Sequence, residues 1–412
     1  MESLIAANTN FSLDLFKKIS TIKKADNIFY SPLSISSALA MVYMGARGNT
    51  ATQMSKVLGF NKEKKPEVNL GLQQQVQKPQ LQRDMLESFH SQSADGNIHA
   101  GFRKLMSELN KEGTQYALSL ANRLYGDQSF EFEKKYLMGT KEFYRAELET
   151  VDFKSNAENA RVNINSWVEK QTQEKIKNLL SKGTVNDMTR LVLVNAIYFK
   201  SDWDSKFKEA DTNEVQFKLN KNESKPVQMM HQTSAFGLVF IPEVNCRILE
   251  MPYLGKELSM LIILPQEIED KSTGLERLER ELTYEKLIEW TQPDKMDYNQ
   301  LMVALPKFRM EETYDLKEIL ISMGMQDAFD VSRSNFSGIS SSSELVVSKV
   351  VHKSFVEVDE EGTEAAAATA DVFELTSARP PPILFIADHP FLFFIRHNPT
   401  QSILFYGRFC SP

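Results

Sequence analysis

The residues that could do chemistry in this chain form no catalytic pattern. There is no GxSxG elbow, no Walker loop and no HExxH helix. The histidines, His90, His99, His231, His352, His389 and His397, do not stand at ligand-like spacing from cysteine or aspartate. No metal and no cofactor is therefore expected, and nothing marks a nucleophile. The unusual stretch is one to be acted upon: Glu360 to Pro382, EEGTEAAAATADVFELTSARPPP. It passes from tiny side chains to a proline block, with an apolar strand pattern on either side. It reads as a bait loop, offered to a protease and able to insert into a sheet afterwards. An alanine-rich helical turn or passive linker explains Ala365 to Ala368 alone, not their conjunction with Glu360, Gly362 and Thr363.

The rest of the chain must supply the sheet. With 412 residues, 42% hydrophobic, 25% charged and 26 phenylalanines, it can bury a large core. A net charge of −7 gives no bias toward nucleic acid or acidic membranes. No apolar run approaches the roughly 20 residues of a membrane span. Cys246 and Cys410, the only two cysteines, read as free thiols of a reducing compartment. The N-terminus reads as an amphipathic helix rather than a signal peptide. The expected location is the cytoplasm, with the nucleus or export without a signal peptide as alternatives. The sequons at Asn10, Asn222 and Asn335 read as chance surface occurrences.

Periodicity orders the elements. Phe11, Leu15, Phe16 and Ile19 share a helical face. Ile28 to Tyr30 form a short strand, Ser31 caps a buried helix over Leu33 to Met44, and Ala51 to Leu58 form a third helix. Residues 61–97 read as a long mobile insertion between the third and fourth helices, and their glutamine cluster as solvated rather than as a docking segment or transglutaminase acceptor. Arg103 and Lys104 beyond it read as a solvated face. The run from Arg190 to Phe199 is dense enough for a sheet centre, with Asn195 needing a buried partner. Short strands crowd Glu214 to Leu264, Leu345 to Val358 makes one long strand, and two strands end the chain at Phe391 to Arg396 and Ile403 to Phe409. Early helices and late antiparallel strands, without βαβ rhythm, give an α+β fold in a single domain over residues 1–412.

Several segments resemble the serpins in the family's own order. NIFYSPLSISSALAMVYMGARGNTATQM is similar to their second and third helices, LVLVNAIYFKSDW to a strand of their main sheet and YDLKEILISMGMQDAFD to a late helix. ADHPFLFFIRHNPTQSILFYGRFCSP resembles their C-terminal signature. The start at a bare helix and the Ser411–Pro412 ending look like the ovalbumin-type (clade B) intracellular branch, and the end of the loop resembles the squamous cell carcinoma antigens. The resemblance implies three β-sheets, about nine helices and an exposed reactive-centre loop at residues 360–382. It implies a metastable suicide inhibitor of serine or thiol proteases. In that mechanism the loop is cut and inserts into the main sheet while the acylated protease stays tethered. A non-inhibitory serpin acting as a chaperone, storage or interaction protein is the alternative.

Carried over residue by residue, the resemblance makes Glu360, Gly362, Thr363, Ala365, Ala367 and Thr369 the hinge. Thr363, Ala365, Ala367 and Thr369 then face inward on insertion, all small and uncharged. Asp371 departs from that rule, since an unpaired carboxylate is costly to bury. The reactive bond falls at Thr376–Ser377, or at Leu375–Thr376 after a one-residue shift. Leu375 would suit a papain-like cathepsin, Thr376 an elastase-like enzyme, and the shifted cut a chymotrypsin-like one. Ser31, Ser34, Asn195 and His352 resemble the polar set controlling sheet opening, and Trp203 the aromatic at the top of the sheet. The expected molecule is a monomer whose partner is its target protease; it is not an enzyme.

Overall fold

The computed structural model describes residues 1–62, 95–363 and 381–412. The first half runs α1 (Glu2–Ile22), β1 (Ile28–Tyr30), α2 (Pro32–Tyr43), α3 (Gly48–Leu58), α4 (Asp95–Leu109), β2 (Tyr116–Asp127), α5 (Lys134–Tyr144), β3 (Leu148–Val151), α6 (Phe153–Gln171) and β4 (Leu191–Asp202). Strands then dominate: β5 (Thr212–Lys218), β6 (Ser224–Ile241), β7 (Cys246–Pro252) and β8 (Leu258–Pro265) precede α7 (Glu276–Glu281) and α8 (Tyr284–Trp290). Next come β9 (Asp297–Pro306), β10 (Phe308–Asp315), α9 (Lys317–Met323), β11 (Val347–Val358) and β12 (Gly362–Thr363). The chain closes with β13 (Ile383–Ile386), β14 (Phe391–His397) and β15 (Ser402–Phe409).

Local chemistry sets these elements. Ser31 caps α2 by accepting the Ser34 N–H, and Pro32 follows in the first turn, where a missing N–H costs nothing. Every residue of α2 is buried, as its unbroken apolar run requires. Gly324 ends α9 in the left-handed conformation. Two boundaries differ from the sequence expectation. Helix α3 starts at Gly48 and α4 at Asp95; a 3-10 turn spans Phe60–Lys62, and residues 63–94 of the expected 61–97 insertion lie outside the described residues. Polar stretches carry weak periodicity, and helix starts within them are hard to see.

Among the described residues the strands form a nine-stranded sheet, β1-β15-β14-β8-β7-β6-β9-β13 with β5 on β6, and a six-stranded one, β10-β11-β4-β2-β3 with β12 on β4. The resemblance implies three β-sheets, and two are found among the described residues because the long β6 pairs with β5 over Ser224–Met230, with β9 over Met229–Leu238 and with β7 over Gly237–Ile241. The expectation of antiparallel late strands needs correction, because β4–β11, β2–β3 and β9–β13 are parallel. No βαβ rhythm announces the central pair, since the crossover between β4 and β11 contains β5 to β9 of the nine-stranded sheet. One core cluster fills the space between α1, α2 and the sheets, and a second lies between α6 and the six-stranded sheet.

In the nine-stranded sheet, Gly407 of β15 faces Phe393 of β14, whose ring lies over it. A Cβ there would stand 2.2 Å from the ring. Gly407→Ala is therefore expected to destabilise the native chain by about 1–3 kcal/mol through overpacking, read as a lower midpoint in denaturant with an unchanged slope.

Candidate functional site

The seam between β4 and β11 organises the site. These strands lie side by side and parallel from Leu191 and Val347 to Tyr198 and Phe355. Alternation sends Leu193, Ile197 and Phe199 of β4 into the larger core, and Val192, Val194, Ala196 and Tyr198 into the one under α6. Asn195 falls with the first set, facing α2.

There it joins a closed polar set. Ser34 Oγ donates to Asn195 Oδ1 at 2.8 Å, and Asn195 Nδ2 donates to the Ser34 carbonyl at 3.3 Å. His352 is the register partner of Asn195, and its Nδ1 lies 2.6 Å from the same Oδ1. The Ser31 N–H donates to His352 Nε2 at 3.1 Å. Nε2 is thus the acceptor and Nδ1 carries the proton, which fixes a neutral imidazole. Ser31 Oγ donates onward to the Leu404 carbonyl of β15 at 2.6 Å. Burial pushes the His352 pKa from 6.5 down to about 3. One side-chain hydrogen bond thus crosses the seam itself, and the others tie it to α2 and β15.

At the top of the seam β11 and β4 part, and β12 takes the vacated place on β4: Gly362 pairs antiparallel with Asp202 and Thr363 with Ser201. Gly362 has φ +146°, and a Cβ on it would stand 2.3 Å from the Ser201 carbonyl oxygen and 2.7 Å from Asp202 Cα. Only glycine fits this conformation and this approach. The turn before it is held by Asp359, whose carboxylate accepts the N–H groups of Glu361 and Gly362 at 2.9 and 3.1 Å. Trp203, buried and stacked on Tyr253 with centroids 4.5 Å apart, donates its indole N–H to the Asp359 carbonyl at 3.0 Å. The Trp203 and Phe207 N–H groups donate to the carbonyls of Glu361 and Glu360.

The two glutamates before the glycine are both paired. Glu360 is buried, 2.8 Å from Lys307 Nζ and accepting from Thr212 Oγ1 at 2.8 Å. Burial pushes its pKa up, and the bonds from Lys307 and Thr212 more than offset that, so the net shift is down. Glu361 lies 2.5 Å from Lys206 Nζ, which also stands 3.2 Å from Asp202.

Of the residues singled out from the sequence, Ser31, Ser34, Asn195 and His352 fall in one hydrogen-bonded set. Trp203 stands apart from them, at the head of the seam against the loop base. Glu360 and Gly362 lie at that base, with Thr363 next in the chain. Ala365, Ala367, Thr369, Asp371, Leu375, Thr376 and Ser377 lie outside the described residues. Sequence reading missed Asp359, Glu361, Lys206, Lys307 and Thr212. The doubled glutamate before a glycine was the one available signal, and its cationic partners are far away in the chain. Among the described residues no group of histidine, cysteine and acidic side chains could hold a metal ion, and no helix is long and apolar enough to cross a membrane.

The two sheets, the parallel β4–β11 pair at the centre of the smaller one and the short β12 seated on β4 define the class of fold. The chain belongs to the serpin (serine protease inhibitor) family, whose model matches residues 6–412. It is 48% identical to the leukocyte elastase inhibitor of Homo sapiens and to Serpin B6 of Macaca fascicularis, each over 412 residues and the full length of both chains. Among solved structures it is similar to uncleaved ovalbumin (TM-score 0.84, 39% identity, all of both chains). A cleaved, loop-inserted ovalbumin mutant matches at TM-score 0.83 and 39% identity, again over all of both chains.

Two outcomes follow from this geometry. Gly362→Ala is expected to unseat β12 while leaving the sheet below intact, read as faster amide exchange confined to Ser201–Trp203 and Asp359–Gly362. Acid should loosen the fold through buried histidines: burial holds His352 at about 3 and His99 at about 4, both below the ordinary 6.5. Both stay neutral when folded and take a proton when unfolded. Their contribution is full above pH 6.5 and falls by up to about 1.4 kcal/mol per pH unit for each histidine below it. Denaturant midpoints between pH 7.5 and 5 should show that slope, and His352→Gln should flatten it.

Proposed function

We propose that this serpin is an irreversible inhibitor of endopeptidases that works by loop cleavage and insertion. The seating of Gly362–Thr363 on β4, at the head of the β4–β11 seam, carries this reading. The protease's nucleophile attacks the Thr376 carbonyl carbon, the bond to the Ser377 nitrogen breaks, and Ser377 leaves as a free amine. The acyl bond to Thr376 then holds the enzyme while residues from 363 onward join the sheet, small side chains inward. Inserted strands complete ladders with β4 and β11, the strand-addition mode of recognition. The chain is consumed in the event and is a substrate analogue rather than an enzyme.

An elastase-like serine protease is the first target class: Thr376 suits such a pocket, and relatives at 48% identity carry the name leukocyte elastase inhibitor. Papain-like cathepsins, through Leu375, and chymotrypsin-like enzymes, through the shifted bond, are further targets. Asp371 is the counterweight, slowing insertion if its carboxylate must enter the core unpaired. A monomer in the cytoplasm, nucleus or a leaderless export route completes the proposal, supported by two buried cysteines that form no disulfide.

The test is a pair of measurements. Incubation with elastase, cathepsin G, chymase and cathepsins L and S should give, with at least one serine protease, a covalent band on a denaturing gel. Mass spectrometry of the released C-terminal peptide should place its start at Ser377. Nicking the loop should make the chain far more heat-resistant. An unchanged melting temperature after nicking would overturn the inhibitory reading and leave the non-inhibitory one.

A further inference from the structure

The two glutamates at the loop base are anchored in different directions. Glu360 reaches Lys307, between β9 and β10, and Thr212 of β5. Lys307 links β9 of the nine-stranded sheet to β10 of the six-stranded one and Thr212 opens β5, so neither lies on β4, the strand that must accept the loop. Glu361 reaches Lys206, just beyond the end of β4, and Lys206 also reaches Asp202, the residue that pairs with Gly362. Lys206 is half-buried, at 33% side-chain exposure, with Glu361 at 19% and Asp202 at 25%. Its pKa is held above the ordinary range, chiefly by the hydrogen bond to Glu361.

We propose that Lys206 is a positioning residue for loop insertion: its ammonium clamps Glu361, on the loop's first turn, to Asp202, on the receiving strand, and so fixes the register in which insertion begins. The inference rests on the inhibitory reading above and adds a residue to it. Register matters because strand side chains alternate, and a slip of one residue turns every inward side chain outward. For the segment after Thr363 that slip would exchange the small residues for Glu364 on the core side. A two-residue strand has too few ladder bonds to hold its own register. A one-residue slip moves Glu361 by about 3.4 Å, out of reach of an ammonium that Asp202 also holds. The main-chain bond from Trp203 to Glu361 extends the same pairing by one residue, and Lys206 adds a side-chain tie from Glu361 to Asp202 within it.

The test compares the wild-type chain with Lys206→Met, Glu361→Gln, the double variant and Lys206→Arg. The first readout is the rate at which the chain gains heat resistance after its loop is nicked by a non-target protease. The second is the number of molecules consumed per molecule of serine protease trapped. Lys206→Met and Glu361→Gln should each slow insertion about two- to fivefold, as loss of a half-exposed ion pair allows, and raise consumption to match. The double variant should be no slower than the slower single one, and Lys206→Arg should stay near wild type. The melting temperature of the intact variants should barely move, which separates positioning from general support. Variants inserting at the wild-type rate, or single effects that multiply in the double variant, would overturn the clamp while leaving inhibition standing. A wild-type chain that gains no heat resistance on nicking would sink the inhibitory reading, and the clamp with it.

Discussion

The structure depends on one contact between two strands. Strands β4 and β11 pair in parallel along their length, and Asn195 meets His352 across that pairing. Parallel pairing is slightly weaker per residue than antiparallel. Here it is helped by a side-chain bond that is itself fastened to α2 and β15. A sheet centre covered on both faces is ordinarily the most permanent part of a fold. This one is closed by a parallel ladder and a single side-chain contact across it. A strand entering between β4 and β11 would exchange one ladder for two, at the cost of the Asn195–His352 contact, whose net worth is on the order of 1 kcal/mol.

The polar set under the seam is hydrogen-bonded throughout and uncharged. Asn195 Oδ1 accepts from Ser34 and from the protonated nitrogen of His352, and the other imidazole nitrogen accepts from the Ser31 main chain. Burial keeps the imidazole neutral, so the set can sit under a sheet without an uncompensated charge. Buried polar groups are costly when half-satisfied and specific when fully satisfied. Parting the strands leaves those groups in need of new partners, and that cost stands against premature opening. The set thereby ties β4, β11, α2 and β15 to one another by hydrogen bonds.

Much of this was legible in the sequence. The density of Leu191 to Phe199 announces a central strand, and a serine before a proline announces the cap of α2. Asn195 inside an apolar run announces a buried partner. What that partner is does not follow from pattern, because His352 is 157 residues away and only the parallel register brings it opposite. The same reason hid the parallel pairing: its crossover contains β5 to β9 of the nine-stranded sheet, so no local rhythm marks it. At the loop base, Gly362 stood out because a glycine beside charged residues and tiny ones asks for a backbone reason. Its pairing with Asp202 did not stand out, since a two-residue strand has no periodicity to read.

At the loop base three consecutive residues are each fastened to a different part of the fold. Glu360 continues β11 and is fastened to the neighbouring sheet through Lys307. It therefore marks the point at which the chain leaves β11. One residue later Glu361 belongs to β4, through Lys206 and through its carbonyl, which accepts from Trp203. Gly362 then reverses the chain where no other residue fits. Three consecutive residues thus end one strand, cross to its neighbour and begin a third. An open strand edge is a template for further pairing, and where β11 and β4 part the edge of β4 is taken by Gly362–Thr363. A foreign strand would have to displace those two residues first.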